Sequence, residues 1–520
     1  MVATITIDNR VRVTTAELEP EVVSEIKAAF EHSNPDFFRR EKIGISTWGV
    51  GRKIRMWEKT PTQIEVPRGG LARVIAILEG HGVDRHFIDA RTEGVALVKR
   101  IPDHRVALWS HQARLVDVAI AVQQCILRAP TGSGKTSLAF AIAARLKLPT
   151  LVIVSTRALF DQWVRRAQVE LGLKKKDIGV IQAKRRNLKP LTIAMQKTLA
   201  VQGVDAELAE FFGVVLCDEV QLFAAKTFIE AVDPFKSKYR IGISADHRRK
   251  DRKEFLVHDL FGAVAAEVSR SDLIDSGIIV DTEVRVVPTD FEASWYGVPE
   301  TDVPEGDVLE PKFWENVFPK RSDPPPPFEE PKEIDWDRLL SEMTLSEERN
   351  AKILWAVDQG RLHSKQVIVM SHRREHCRHL DLLIARSNIQ TGFLIGGEDY
   401  KSQFVQTREA FEKGQIEVAV GTFQAIGYGI DLPKAEVVVC ATPIASNKQL
   451  FAQVRGRVCR SAKGKSESWM YYLWDRRLYG LGHIRNLVRW NRGRVVIWDN
   501  TQWIEAKQFL TTVRQQAGAI

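Results

Sequence analysis

The segment Ala129-Pro130-Thr131-Gly132-Ser133-Gly134-Lys135-Thr136 constrains this 520-residue chain more than any other. It joins an apolar, strand-like run, CILR, to a helical one, SLAFAIAARL. A glycine-rich turn from strand to helix, closed by Gly-Lys-Thr, is the pattern that cradles nucleotide phosphates, with Ala129 in place of its first glycine. Gly132 and Gly134 allow backbone N–H groups, that of Ser133 among them, to turn inward. The helix that follows offers its positive end. Lys135 supplies a point charge for the β- and γ-phosphates, and the Thr136 hydroxyl suits Mg²⁺.

The surrounding pattern is that of an α/β fold. Between residues 101 and 285, short β-branched runs (CILRAP, LVIVST, LTIAM, VVLCDE, YRIGIS) alternate with helical segments, which predicts a mostly parallel sheet. The rhythm returns in 341–520 with QVIVMS, GFLIG, VAVGT and VVVCAT. Residues 1–100 read as a small α+β domain: an alternating strand TITIDNRVRV, a helix opening at Glu19-Pro20-Glu21, two strand-like runs and a glycine-ended helix. Residues 286–340 read as an acidic, proline-rich linker or insertion. From Asp281 to Leu340 there are 16 acidic and 6 basic residues, and 10 of the 21 prolines. The net charge is +9, so the remainder carries about +19, which suits a polyanionic partner.

Composition excludes several classes. With 44% hydrophobic and 27% charged residues, wholesale disorder is ruled out. There is no apolar run of the roughly 18 residues that a membrane span needs. The start, MVATITIDNRVRV, is unlike a secretory signal, and five scattered cysteines suit neither a disulfide framework nor a zinc site. A reducing, cytoplasmic location is expected.

VVLCDEVQ is a buried-strand run ending in Asp218 and Glu219. Acids at the carboxyl end of a parallel strand lie where such sheets bind ligands. Asp218 is placed to hold Mg²⁺, and Glu219 to polarise an attacking water.

Asp218-Glu219-Val220-Gln221 resembles the DExH/D box of superfamily 2 helicases, and further stretches follow in that family's order. Gln112 in LWSHQARL resembles the adenine-reading glutamine. Ser155-Thr156-Arg157 with Gln162-Trp163 resembles motif Ia, and Thr192 to Gln196 motif Ic. Ser244-Ala245-Asp246 lies where the family has Ser-Ala-Thr, Ser371-His372-Arg373 at motif IV, and Gly421 to Pro433 at motif V. Gln453 to Arg460 matches Q-x-x-G-R-x-x-R, motif VI. The segment from Tyr239 to Ile279 is similar to the branch containing XPB repair helicases and phage branch-migration helicases such as UvsW. Gln221, Asp246, His247 and Tyr428 depart from the usual residues.

The resemblance implies two RecA-like parallel-sheet lobes in tandem, with the small α+β domain as an N-terminal accessory, and ATP with Mg²⁺ as cofactors. It implies Lys135, Glu219, Arg457 and Arg460 as catalytic residues, the arginines meeting the γ-phosphate. Gly429 and Asp431 would line the nucleotide, and Gln221, Ser244, Asp246 and Gln453 would couple hydrolysis to motion. Thr156, Arg157, Thr192, Gln196, His372, Arg373 and Thr422 match positions that contact a sugar-phosphate backbone, although each residue type also serves as a cap or turn. Arg52, Lys53 and Arg55, beside Trp57, add a basic cluster without a family motif. So does RRLYGLGHIRNLVRWNRGR, which reads at least as well as an amphipathic helix packed on the second lobe.

The expected activity is an ATP-dependent DNA helicase or translocase acting on single-stranded, forked or branched DNA in replication, recombination or repair, possessed by a monomer. An RNA helicase, a nucleic-acid-gated ATPase switch and the motor subunit of a restriction or defence complex are the alternatives. Since the motifs begin at Gln112, residues 1–100 are expected to be dispensable for ATP chemistry.

Overall fold

The computed structural model describes residues 2–220, 225–245, 251–293, 335–363, 365–396, 400–427, 432, 434–462, 464–491 and 493–517. Expectations for Gln221, Asp246, His247, Tyr428, Gly429, Asp431 and the middle of the proline-rich segment lie outside the described residues. The chain divides into two compact units, Met1–Asp272 and Leu273–Ile520.

In the first unit, the alternating amino-terminal run forms strand Val2–Ile7 with Ala3, Ile5 and Ile7 inward. It lies antiparallel to Arg10–Thr14 and parallel to Asp84–Asp89, and Gln63–Pro67 and Glu58–Lys59 complete a five-stranded sheet. Helix Pro20–Ala29 starts with proline in its first turn and an acid, Glu21, beside it, both favourable at that end. It buries Val22, Val23 and Ile26; helix Leu71–Gly80 adds Val74 and Leu78.

The RecA-like sheet of this unit has eight strands in the order Arg185–Asn187, Gly179–Gln182, Leu191–Met195, Thr150–Val154, Val214–Asp218, Tyr239–Ser244, Gln124–Arg128 and Val264–Glu267. All pairings are parallel except that of the edge strand Arg185–Asn187. Val214–Asp218 and Thr150–Val154 are buried throughout, as expected of continuous apolar runs covered on both faces.

The accessory sheet is not set apart from this lobe. One apolar cluster runs from Ile5, Ile26 and Phe30 through Ile126 and Phe228 to Phe261. Buried charges cross the same boundary. Arg68 is 1% exposed and donates to Asp8 O at 2.9 Å, to Ser237 O at 2.7 Å and to Gln124 Oε1. Arg240, wholly buried, donates to Asn9 O at 3.2 Å and Phe235 O at 2.6 Å. Arg10 meets Asp233 at 3.2 Å, and buried Asp259 takes His32 at 2.8 Å together with Arg73. At Gly69 a β-carbon would sit 2.4 Å from His258 O, so the two backbones touch there. The small α+β domain is there as expected, but it does not stand as a separate unit: its sheet and the first lobe share a core.

The second unit holds another eight-stranded sheet, in the order Thr391–Leu394, Val418–Thr422, Val367–Ser371, Val437–Cys440, Ser468–Asp475, Thr282–Thr289, Val495–Trp498 and Trp503–Glu505. Only the last strand is antiparallel. The boundary expected at residue 285 falls inside strand Thr282–Thr289, which pairs with Ser468–Asp475 along its whole length. At the other side of the acidic segment, Trp336–Leu345 is helical. Much of the carboxyl-terminal basic run is structural. Arg476 donates to Asp290 at 2.9 Å, and Arg494 bridges Glu283 and Glu505 at 2.7 Å each. Helix Gly482–Asn491 buries Ile484 and Leu487, the packed amphipathic helix that was one of the two expectations.

Candidate active site

The phosphate loop sits at the carboxyl end of Gln124–Arg128 and opens helix Lys135–Leu146. Gly132 has φ of 95° and Gly134 of 76°, the left-handed region that a side chain resists. A β-carbon on Gly134 would also lie 2.3 Å from Gln112 Nε2. Ser133 is 2% exposed, and its Oγ has no partner among the described residues.

Lys135 Nζ pairs with a Glu219 carboxylate oxygen at 2.9 Å. The backbone at Glu219 is left-handed, φ 52°, which turns this acid out of the strand that ends at Asp218. Unusual backbone of this kind clusters at functional sites. Asp218 is 5% exposed; its Oδ2 accepts from Trp163 Nε1 at 2.9 Å, while buried Oδ1 has no partner among the described residues. Burial first, and the neighbouring Glu219 carboxylate second, push the Asp218 carboxyl up to about 6, against the pull of Lys135. A buried carboxylate oxygen left unmade is costly. A hard divalent cation would satisfy it, and Thr136, in the first helical turn and 7% exposed, adds a hydroxyl of the right chemistry. The residues thus fit Mg²⁺.

Trp163 comes from helix Arg157–Glu170, whose N-cap is Thr156, accepting from Leu159 N–H at 3.3 Å. The same helix grips the phosphate-loop helix. Trp163 packs edge-on against Phe140, with ring centroids 5.0 Å apart, and Arg166 donates to Ser137 Oγ at 2.8 Å. The sequence placed Trp163 in a motif without giving it a task; an indole donor aimed at a metal-binding acid is not visible without the fold.

Gln112 sits beside the loop as expected, but its amide is engaged. Nε2 donates to Ser133 O at 3.1 Å and Gly134 O at 3.2 Å, and Oε1 accepts from Trp109 N–H at 2.9 Å. It therefore holds the loop. Ser244 is buried at the end of Tyr239–Ser244, and its carbonyl accepts from Ala129 N–H at 2.8 Å, joining that strand to the loop.

The residues expected on a nucleic-acid backbone divide into two groups. Arg157 is exposed and bonds Asp161 at 3.0 Å. Arg373 is partly exposed and bonds Asp337 at 2.6 Å. By contrast, Thr192 is wholly buried, its hydroxyl spent on Lys189 O at 2.9 Å and Lys189 N–H at 3.0 Å. Gln196 is 3% exposed and donates to Thr227 at 2.7 Å. Thr422 accepts from Ala425 N–H at 3.2 Å, opening the short helix Phe423–Gly427. These three spend polar atoms within the fold, because a strand-end hydroxyl or amide is first used to close the adjoining turn. His372 bonds Thr442 at 2.8 Å, and burial lowers its ring to about 4, so it is neutral near pH 7.

In the second unit, helix Lys448–Val458 carries Gln453 and Arg457, 9% and 8% exposed, with Arg460 just beyond. Gln453 Oε1 is buried without a partner among the described residues. Arg455, on the same helix, is used structurally, donating to Asn491 O at 2.9 Å.

Residues 106–249 match the family model described as Type III restriction enzyme, res subunit. Residues 349–462 match the helicase conserved C-terminal domain. The chain belongs to the superfamily 2 helicases. Among curated relatives of this helicase chain is a protein named DNA 3'-5' helicase XPB from Kineococcus radiotolerans. It is 26% identical over 415 residues, 78% of this chain and 66% of that protein. A putative ATP-dependent RNA helicase, L396, from Acanthamoeba polyphaga mimivirus is 24% identical over 62% of this chain and 55% of its own. The chain thus spans roughly half to two thirds of these relatives' length. Among solved structures, the DNA-bound Type ISP restriction-modification enzyme LlaBIII shares the fold at a TM-score of 0.50 and 13% identity, over 78% of this chain and 32% of its own.

Proposed function

We propose that this helicase chain is an ATP-dependent DNA helicase or translocase acting on forked or branched DNA in replication, recombination or repair. The observation that carries the ATP chemistry is the Asp218 carboxylate, with one oxygen held by Trp163 and the other unpartnered among the described residues, beside the Lys135–Glu219 pair.

Bound Mg²⁺ would be held by Asp218 and Thr136 and would neutralise phosphate charge. The phosphate loop's N–H groups orient the triphosphate. The β- and γ-phosphates compete with Glu219 for Lys135, and the carboxylate so released accepts the proton of the attacking water. Arg457 and Arg460 supply positive charge as it develops on the γ-phosphoryl group. Gly429 and Asp431 line the nucleotide, while Gln221, Ser244, Asp246 and Gln453 couple turnover to motion. Arg157, Arg373 and a neutral His372 meet the nucleic-acid backbone without reading sequence.

DNA as substrate is supported by the likeness to the protein named DNA 3'-5' helicase XPB, and the basic balance outside the acidic segment suits a polyanion. The restriction-subunit match over 106–249 favours, as a second reading, the motor of a restriction or defence complex. ATPase stimulation and strand displacement should be measured side by side on single-stranded, forked, four-way and RNA substrates. Stimulation and displacement strongest on forked or four-way DNA would support the first reading. Stimulation without displacement would favour the motor, and preference for RNA would replace DNA. Among the described residues no helix is long and apolar enough to cross a membrane, and a cytoplasmic location is part of the proposal.

A further inference from the structure

Residues 35–52 of the accessory domain break the pattern of the rest of the unit. Helix Pro35–Lys42 carries Phe37 and Phe38 yet buries no residue. The loop after it exposes Ile43 by 57%, Ile45 by 52% and Trp48 by 91%. Exposure of one large apolar side chain is ordinary, but a contiguous apolar set on a projecting element marks an interaction site.

The projection has a defined shape. Asn34 caps the helix and donates to Gly51 O at 2.8 Å, tying its two ends together. Ile45 N–H reaches Arg40 O at 2.9 Å and Val50 N–H reaches Thr47 O at 2.9 Å. Gly44 and Gly49 take the left-handed turns, φ 69° and 74°. Asp36 is anchored to Lys253 of the first lobe at 2.7 Å. Trp48 is therefore presented on an ordered loop.

Its charge identifies the occupant. From Pro35 to Arg55 there are six basic residues and two acids, and one of the acids, Asp36, is spent on Lys253. Lys53 and Arg55 share the single Glu31 carboxylate, at 2.8 and 3.3 Å, and the Lys53 hydrogen bond holds that carboxyl below its usual range. Arg39, Arg40, Lys42 and Arg52 form no salt bridge among the described residues. Arg40 reaches only Ser46 O, and Arg52 lies over the Phe37 and Phe38 rings at 5.7 and 5.5 Å. Uncommitted cations on the same segment as an exposed indole match a nucleic-acid strand, whose phosphates take the charge and whose bases take the ring.

We propose that the 35–52 projection is a nucleic-acid docking site in which Trp48 stacks on an unpaired base while Arg39, Arg40, Lys42 and Arg52 contact the flanking phosphates. This deepens the DNA reading above and rests on it. Part of the expected basic cluster is thereby reassigned: Arg52 belongs to the site, whereas Lys53 and Arg55 do not.

The test uses the full chain and a fluorescent forked DNA with unpaired arms. Stacking of one base contributes about 1–3 kcal/mol, so Trp48→Ala should weaken binding about 5- to 150-fold, and Trp48→Phe by only a few-fold. Arg39→Gln with Lys42→Gln should lower the slope of log affinity against log salt by about 1.5. These side chains are exposed, so melting temperatures should match the parent's. Unchanged affinity and salt slope in the folded variants would overturn the docking site while leaving the DNA reading intact. If the parent chain itself bound neither DNA nor RNA, the DNA reading would fail first. Vesicles of phosphatidylcholine and phosphatidylserine form the control arm. Loss of vesicle binding by Trp48→Ala with fork binding unchanged would assign the projection to an anionic membrane surface and overturn the proposal.

Discussion

The indole of Trp163 donates to Asp218 Oδ2 at 2.9 Å, in a pocket where Asp218 Oδ1 has no partner among the described residues. One oxygen is fixed so that the other can be offered. Second-sphere donors to a metal-binding carboxylate typically contribute 10- to 100-fold in metal affinity or activity. Trp163→Phe keeps the ring against Phe140 and removes the donor. The Mg²⁺ concentration for half-maximal ATPase should rise by about that factor, with kcat at saturating magnesium little changed. The indole N–H also favours the ionised carboxyl, which stands at about 6. In limiting magnesium the variant's activity should therefore fall away at higher pH than the parent's. Identical magnesium and pH profiles would show the indole to be mere packing.

Lys135→Ala should abolish hydrolysis by removing the cation that faces the triphosphate. Glu219→Gln should keep ATP binding and lose turnover, measured by nucleotide titration and phosphate release. Parental turnover in Glu219→Gln would remove this residue as the base. Gly134→Ala should disable the loop as well, because its left-handed backbone and the approach of Gln112 both exclude a β-carbon.

Arg457→Ala and Arg460→Ala should leave nucleotide affinity within a few-fold while cutting kcat by about 10³ or more, because their charge matters most in the transition state. Equal loss in KM and none in kcat would make them ground-state contacts.

Arg240→Met should destabilise the first unit strongly. Removing one member of a buried polar set costs about 3–5 kcal/mol when the partners left behind stay buried. Deleting residues 1–100 removes the Asn9, Arg10, His32, Arg68 and Arg73 contacts together and bares the shared core. That deletion should aggregate or melt early, followed by scanning calorimetry and light scattering. A soluble deletion with parental ATPase would restore the view of an autonomous accessory domain.

The strands that bear the motifs were readable because they are short, β-branched and covered on both faces; Thr150–Val154 and Val214–Asp218 are buried at every position. Ser468–Asp475 was not legible, because its run SWMYYLWD is buried at every position and so shows neither polar alternation nor a β-branched pattern. Thr282–Thr289 lies at the start of the acidic stretch, and its partners are about 186 residues away, beyond any local pattern. Within the site, residue types at fixed spacing revealed Lys135, Thr136, Asp218 and Glu219. They could not reveal that Thr192 and Gln196 would spend their polar atoms on Lys189 and Thr227. Nor does any sequence period distinguish the paired Lys53 from the unpaired Arg39; only the position of Glu31 does that.

The charges that lock the amino-terminal sheet to the first lobe also set an order of events during synthesis. Asn9 receives Arg240 across 231 positions, and His32 receives Asp259 across 227. At about 5–20 residues per second, the amino-terminal sheet emerges from the ribosome roughly 10–50 seconds before its partners exist. Through that interval Arg10, His32, Arg68 and Arg73 lack the first-lobe partners that hold the sheet in place. Ribosome-held chains ending before residue 240 should be cut readily by protease within residues 1–100, and those extended past residue 275 should resist.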